Sequence, residues 1–150
     1  ILTTWHASQM AMITMLNNNP NTPTTCHHTL TQLFLREGRL SMKTYQRSAD
    51  VLLGVPHNWI QSWALLLWLC KQVGESVVPG QMIWQFGDAH IYQERSHLDT
   101  LAAILRAKPM LECRHWMVYS GERGDPFRSA DFDICGTVPE PQVMIRPKLL

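Results

Sequence analysis

Apolar and polar residues alternate with a period of two in two neighbouring stretches, His28 to Arg36 and Leu40 to Ser48. This period is typical of strands with one buried face, and the intervening Glu37-Gly38 is typical of a tight turn. The pattern therefore predicts a β-hairpin. The β-type run over residues 1–5, Ile-Leu-Thr-Thr-Trp, predicts a further strand.

The pattern becomes helical between Asn58 and Val73, where apolar residues occur on nearly every side. We therefore expect a long helix buried in the core, with a stripe formed by Trp63, Leu66, Leu67 and Cys70. A second stripe predicts another helix and consists of Leu98, Leu101, Ala102 and Leu105. Ser96 with Asp99 resembles a capping box at its start.

The remaining apolar stretches predict strands. Pro79-Gly80 indicates a turn and Met82 to Tyr92 a strand, while His115 to Tyr119 and Phe127 to Ile134 are the last strand candidates. This order of elements indicates an α+β fold, in which an antiparallel or mixed sheet packs with the long buried helix.

Composition narrows the class of protein. The 150 residues suit one domain. Because 13 basic and 12 acidic side chains nearly cancel, the net charge does not favour electrostatic binding of nucleic acid or an anionic membrane. The longest apolar run, Trp63 to Cys70, is far shorter than the ~20 residues of a membrane span. Four cysteines without a CxxC pair favour a reducing compartment. The opening strand, which has no initiator Met, predicts a domain over 1–150 that lacks its N-terminal part.

Three stretches of the chain carry a recognisable family pattern, in the family's order and near its spacing. They are Tyr45–Val51 with Leu53–Asn58, then Gly87–Tyr92, and Cys26–His28 just upstream of Gln32 and the Arg36–Ser41 turn. Phe127-Arg128 and Asp131–Ile134 add weaker support. With these motifs the chain resembles the C-terminal part of the thymidylate synthase and deoxypyrimidine hydroxymethylase family, over most of residues 26–136.

The resemblance implies a nucleotide site. In the family, residues matching Arg47 and Ser48 bind the 5′-phosphate, for which a guanidinium fork and a hydroxyl are well suited; an isolated Arg is more often part of a surface ion pair. Asn58 carries a donor and an acceptor that suit O4 and N3–H of uracil, or it is the N-cap of the long helix. The resemblance also assigns Gln46 to the nucleotide site.

The resemblance assigns His90 and Tyr92 to one sugar hydroxyl. They lie two apart on a predicted strand and therefore face the same side; structural polar residues are the alternative. It also implies a folate site with Asp50, Leu53, Gly54 and His57, although His57 stands where the family usually has Phe. Asp50 would bind the pterin and order water, and Gly54 lets the backbone approach a ligand closely.

The nucleophile implied by the resemblance is Cys26, whose thiolate would attack carbon 6 of the base with Asp50 and Asn58 as further catalytic residues. Its spacing departs from the family's: the family's Cys precedes the Gln by five residues, whereas Cys26 precedes Gln32 by six. A β-bulge at His27 or His28 would absorb the extra residue and restore the direction of the thiol.

The expected function is therefore an enzyme that transfers a methyl group to dUMP, with 5,10-methylenetetrahydrofolate as cosubstrate and no metal. The alternatives are a viral type of deoxyuridylate hydroxymethylase, in which water ends the reaction, and a non-catalytic nucleotide-binding relative. The expected partners are dUMP, folate and a second copy of the chain whose arginines complete the phosphate site, with no nucleic acid and no membrane. The expected location is the cytoplasm, or the host cytoplasm if the protein is viral.

Overall fold

The structure, a computed structural model, describes residues 2–3, 28–106 and 116–136. The strands in these ranges are β1 (Leu2–Thr3), β2 (His28–Arg36), β3 (Arg39–Asp50), β4 (Val78–His90), β5 (Trp116–Tyr119) and β6 (Phe132–Cys135). The helices are α1 (Gly54–Val73) and α2 (Arg95–Arg106), and a 3₁₀ turn spans Ser129–Asp131. A four-stranded sheet has the order β1-β2-β3-β4, and β5 pairs with β6 separately. The prediction of an α+β fold is confirmed.

The β2–β3 hairpin lies where the alternation predicted it. Its two-residue turn has positive φ at both positions, 51° at Glu37 and 73° at Gly38. This is the type I′ geometry, whose twist matches that of the paired strands. The local sequence thus determines both the strands and the turn that joins them.

The pairing of β3 with β4 is parallel, so the sheet is mixed. Helix α1 connects the two strands, as a parallel pair requires a long crossover. The prediction of a turn at Pro79-Gly80 was wrong, because both residues lie within β4 at a register shift opposite Leu40 and Met42. A Cβ on Gly80 would collide with Ser41 Oγ, which accepts a hydrogen bond from Gln81 N at 3.0 Å.

The core lies between β3 and α1. Leu40 and Met42 of β3 pack against Leu66 and Cys70 of α1, and all four are at most 4% exposed. Burial raises the pKa of the Cys70 thiol, which keeps it protonated and unreactive. Helix α1 begins four residues earlier than predicted and buries one side only, since Trp59 and Ile60 are 44% and 51% exposed.

The other predicted elements are present with shifted limits. Helix α2 begins at Arg95, so Ser96 lies inside the helix and the predicted capping box was wrong. The predicted strand over Phe127 to Ile134 is shorter, because the 3₁₀ turn precedes β6. None of the helices in the described ranges has both the length and the apolar character of a membrane crossing. Cys26 and most of predicted strand 1–5 lie outside the described residues.

The loop before the 3₁₀ turn is fastened to the C-terminal half of α1. Gln72 donates from Nε2 to the carbonyl of Glu122 at 3.3 Å and accepts from the backbone N–H of Gly124 at 2.7 Å. Trp68 Nε1 donates to the carbonyl of Asp125 at 2.9 Å. We expect Gln72→Ala to lower the free energy of unfolding by about 1–2 kcal/mol, because two hydrogen bonds are lost at a partly exposed site. Urea titration measures this; a loss below about 0.3 kcal/mol would show that the loop does not depend on these bonds.

Candidate active site

A cavity of about 340 Å³ lies where β3 ends, α1 begins and β4 ends. Because β3 and β4 are parallel, their carboxyl ends meet at one edge of the sheet, which is where α/β crossovers commonly bind ligands. The cavity is lined by Gln46, Ser48, Asp50, Leu53, Gly54, His57, Asn58, His90 and Tyr92. Every one of these residues belongs to the site predicted from the sequence.

Strand β3 contributes three of these residues from alternate positions. Gln46 is 1% exposed, and its Nε2 donates to the carbonyl of Ser48 at 2.8 Å while its buried Oε1 has no hydrogen-bond partner. Asp50 Oδ1 accepts from the backbone N–H of Leu52 at 3.1 Å, which holds the carboxylate at the turn before α1. Arg47 is exposed and does not line the cavity, because residues at odd positions of β3 face the other side of the sheet.

The first turns of α1 contribute Gly54, His57 and Asn58. The N-cap position is Leu53, so the interpretation of Asn58 as the helix N-cap was wrong. The half-buried side chain of Asn58 thus lies at the cavity without a capping role. A Cβ on Gly54 would lie 3.4 Å from Asp50 Cβ and 4.0 Å from Asn58 Nδ2, in the space between the two polar groups.

The end of β4 contributes His90, followed by Tyr92 two residues later. Their rings meet edge to face with centroids 5.0 Å apart. His90 Nδ1 lies 3.1 Å from Asp88 Oδ2, and because a carboxylate accepts, the ring donates from Nδ1 and leaves Nε2 for the cavity. The backbone N–H of Val51 donates to the carbonyl of His90 at 3.0 Å and holds this end against β3.

Asp88 is the one residue of this arrangement that the sequence analysis did not single out. It lies two positions before His90 on the same strand, so the i, i+2 spacing within Gly87–Tyr92 was a usable signal.

A β-bulge interrupts the ladder between β2 and β3. His28 is opposite Gln46, whereas Leu30 is opposite Tyr45, so Thr29 is one residue in excess on β2. The predicted position at His27 or His28 was therefore wrong by one or two residues. The predicted consequence, one extra residue absorbed before Gln32, is present in the backbone.

Two larger cavities lie elsewhere. One of about 730 Å³ lies beside the hairpin turn, next to Arg36, Glu37 and Arg39. The other, of about 740 Å³, is lined by apolar side chains that include Trp59, Trp63 and Trp116. Neither is lined by a residue that the sequence assigns to the nucleotide or folate site, so the smaller cavity is the candidate site.

The fold and the cavity together define an α+β protein with a cavity lined mainly by polar residues at one edge of the sheet. The model of the family described as "Thymidylate synthase" matches residues 1–148, and the chain belongs to this family.

The chain is also similar to individual proteins that are named thymidylate synthase. A thymidylate synthase from Corynebacterium aurimucosum is 36% identical over 116 residues, which cover 77% of this chain and 41% of that protein. One from Cereibacter sphaeroides is 34% identical over 118 residues, covering 79% and 38%. The structure is similar to the crystal structure of thymidylate synthase from T4 phage, with a TM-score of 0.67, 26% identity and coverage of 95% of this chain and 56% of that one. The chain thus spans about 40% of the length of these curated relatives.

Proposed function

We propose that this chain forms the nucleotide site of a thymidylate synthase, which converts dUMP and 5,10-methylenetetrahydrofolate to dTMP and dihydrofolate. The observation that carries the proposal is the grouping of Asp50, Asn58 and His90 in one cavity, from three different elements. Such a grouping of a carboxylate, an amide and an imidazole supplies both hydrogen-bond recognition and proton transfer.

The nucleophile in this proposal is Cys26. The bulge supports it. Beyond the bulge, His28 pairs with Gln46, which lines the cavity. If the strand continued two residues further toward the N-terminus in the same register, position 26 would lie opposite Ser48, which also lines the cavity. If the ladder instead continued from the Leu30–Tyr45 pair with Thr29 paired and no bulge, a strand reaching position 26 would bring it opposite Ala49, on the face of Tyr45. Among the described cysteines, Cys70 is buried in the core and Cys135 lies on β6, away from the cavity.

The chemistry at carbon 6 is then as follows. The thiolate of Cys26 forms a bond to carbon 6, and the electrons of the 5,6 double bond move to carbon 5 and O4 as an enolate. The amide of Asn58 donates to O4 and accepts from N3–H, which stabilises that enolate. His90 and Tyr92 bind the sugar hydroxyl, and Ser48 binds the phosphate.

The folate site is proposed beside Leu53, Gly54 and His57. What supports this is Gly54, which has no side chain between Asp50 and Asn58 and so lets a flat ring approach the backbone there. The folate supplies the one-carbon unit and, for the methyl product, the hydride. In this proposal the carboxylate of Asp50, which also accepts from the N–H of Leu52, accepts a hydrogen bond from a pterin N–H.

The decisive test is product analysis on the full-length protein with dUMP and methylenetetrahydrofolate, by mass spectrometry. Release of dTMP with dihydrofolate establishes the synthase. Release of 5-hydroxymethyl-dUMP with tetrahydrofolate establishes the hydroxymethylase. If 5-fluoro-dUMP and methylenetetrahydrofolate form no covalent adduct, the chain belongs to a non-catalytic relative.

Deletion of Thr29 tests the bulge. We expect the deletion to keep adduct formation within about threefold, because removing the excess residue restores a regular ladder and leaves the phase of residue 26 unchanged. Insertion of one alanine after Thr29 is the matched control, and it should abolish the adduct by reversing the phase. Loss of the adduct on deletion, with the fold intact by circular dichroism, would refute the register argument.

Arg47 needs its own test, because it lies on the opposite face of β3 from the cavity. If it binds the phosphate at the strand edge, Arg47→Ala should raise KM for dUMP at least about tenfold, the value of one charged hydrogen bond. Lys43→Ala, an exposed cation on the same face, is the control. An unchanged KM would reassign Arg47 to a structural ion pair.

The proposal includes a homodimer, in which arginines of a second copy complete the phosphate site. Sedimentation at micromolar concentration tests this assembly on the full-length protein. The cytoplasm, or the host cytoplasm for a viral source, is the proposed location, where dUMP and folate are available.

A further inference from the structure

Tyr92 lies on the short connection between β4 and α2, beyond the last paired residue of the strand. Strand β4 ends at His90, whose carbonyl accepts from the backbone N–H of Val51 at 3.0 Å, and α2 begins at Arg95. The side chain of Tyr92 is 46% exposed although the residue lines the cavity. Burial therefore does not hold its ring in one rotamer, and an unrestrained side chain loses conformational entropy when a ligand orders it.

Two imidazoles contact the ring of Tyr92. The ring of His90 meets it at 79° with centroids 5.0 Å apart, and the ring of His97 meets it at 60° with centroids 5.3 Å apart. Both distances lie in the range in which aromatic rings attract each other, about 4.5–7 Å. His97 belongs to the first turn of α2, where its backbone N–H donates to the carbonyl of Glu94 at 3.0 Å. The ring of Tyr92 thus contacts both the end of a strand and the start of a helix.

One ring nitrogen of His97, Nδ1, is buried and has no hydrogen-bond partner among the described residues. A buried polar atom without a partner costs free energy that an apolar ring would not. His97 is not one of the residues that line the cavity, whereas Tyr92, which its ring contacts, is. An effect of His97 on a ligand in the cavity therefore passes through Tyr92.

We propose that His97 is a positioning residue of the sugar subsite, whose ring contact orders Tyr92 so that the tyrosine hydroxyl meets the hydroxyl of the nucleotide sugar. The inference rests on the proposed function, in which His90 and Tyr92 bind that hydroxyl. A 2′-deoxynucleotide with a 5′-phosphate has one free sugar hydroxyl, at carbon 3′. Because Tyr92 is ordered before the ligand arrives, less entropy is lost on binding, and the contact favours nucleotides whose 3′-hydroxyl is free.

The test measures the Kd of the full-length protein for dUMP and for 2′,3′-dideoxyuridine 5′-monophosphate, which lacks the 3′-hydroxyl, by isothermal titration calorimetry. We expect the unmodified protein to bind the dideoxynucleotide at least about tenfold more weakly, because the polar groups of His90 and Tyr92 are then left unpaired. In His97→Ala this ratio of the two Kd values should fall by at least about threefold, since Tyr92 must be ordered by the nucleotide itself. His97→Phe keeps an aromatic ring at the same place and should restore most of the ratio.

Leu98→Ala is the matched control, because Leu98 is an exposed side chain on the same turn of α2 that does not line the cavity. Its ratio should stay that of the unmodified protein. A general loss of stability would weaken both nucleotides alike, so a ratio in His97→Ala equal to that of the unmodified protein would overturn the proposal. A ratio in His97→Phe as low as in His97→Ala would overturn it too, since the ring contact would then not be the cause.

A second readout needs no nucleotide. In the ligand-free, selectively labelled protein, nuclear Overhauser effects should connect the ring protons of Tyr92 with those of His97, and their absence would contradict the proposed contact. The proposal and the proposed function fail separately. If dTMP is formed and the ratio does not depend on His97, only the role of His97 fails; if the unmodified protein binds neither nucleotide, the proposed function fails with it.

Discussion

A Cys26→Ala variant is expected to form no adduct with 5-fluoro-dUMP and methylenetetrahydrofolate, and to lose dUMP turnover by about 10⁴-fold or more. The physical reason is that covalent attack at carbon 6 turns carbon 5 into a nucleophile, and no other group of the site replaces a thiolate in that step. Intact-protein mass spectrometry measures the adduct directly, independent of turnover.

The control for this variant is Cys135→Ala. Cys135 is a half-buried thiol on β6, outside the cavity, so its removal should leave the adduct unchanged. Binding of dUMP alone to Cys26→Ala should fall only slightly, because Asn58, His90 and Tyr92 remain. An adduct that persists in Cys26→Ala would assign the nucleophile to another cysteine and would remove the functional meaning of the bulge at Thr29.

An Asn58→Asp variant should change the preferred base from uracil to cytosine. The amide offers uracil a donor for O4 and an acceptor for N3–H, whereas a carboxylate only accepts and suits the amino group of cytosine. We expect kcat/KM for dUMP to fall by about 10²–10³-fold and dCMP to become the better substrate, since buried unpaired polar groups discriminate strongly. The measurement is kcat/KM for both nucleotides.

Gln61→Glu is the matched control for this substitution. It makes the same chemical change on the same helix at an exposed position that does not line the cavity. Its ratio of dUMP to dCMP turnover should stay that of the unmodified protein. If Asn58→Asp also keeps the original ratio, Asn58 does not read the base, and its place at the cavity serves another purpose.

The hairpin shows how far local sequence reaches in this protein. Its strands follow the period-two alternation, and the turn at Glu37-Gly38 adopts the geometry that its length favours. Helix α2 likewise follows its stripe, although it starts at Arg95, two residues before the first helical position that a cap at Ser96 predicts. These elements depend on contacts between residues close in the chain, which pattern and propensity describe well.

Local sequence patterns gave the wrong structure at two places, the turn predicted at Pro79-Gly80 and the helix N-cap considered at Asn58. Pro79 and Gly80 lie inside β4 because Gly80 lets Ser41 of the neighbouring strand approach, a contact about 40 residues away in the sequence. Helix α1 starts at Gly54, since the crossover from β3 to the parallel strand β4 sets its position, and Asn58 is thereby moved from the cap to the cavity wall. Both the contact between Gly80 and Ser41 and the pairing of β3 with β4 join segments far apart in the sequence, so the residues next to Gly80 or Asn58 do not predict them.

The sequence by itself determined the family, the α+β class and every residue that lines the cavity, because motif residues of one family keep their order and spacing along the chain. Only the tertiary structure decided which of them meet. Parallel pairing of β3 with β4 brings Asp50 and His90 to one edge, and strand alternation turns Arg47 to the other face. The register with β3 locates the excess residue at Thr29. The direction of two paired strands, their register and the face on which each side chain lies all depend on segments that are distant in the sequence. The packed sheet therefore determines them.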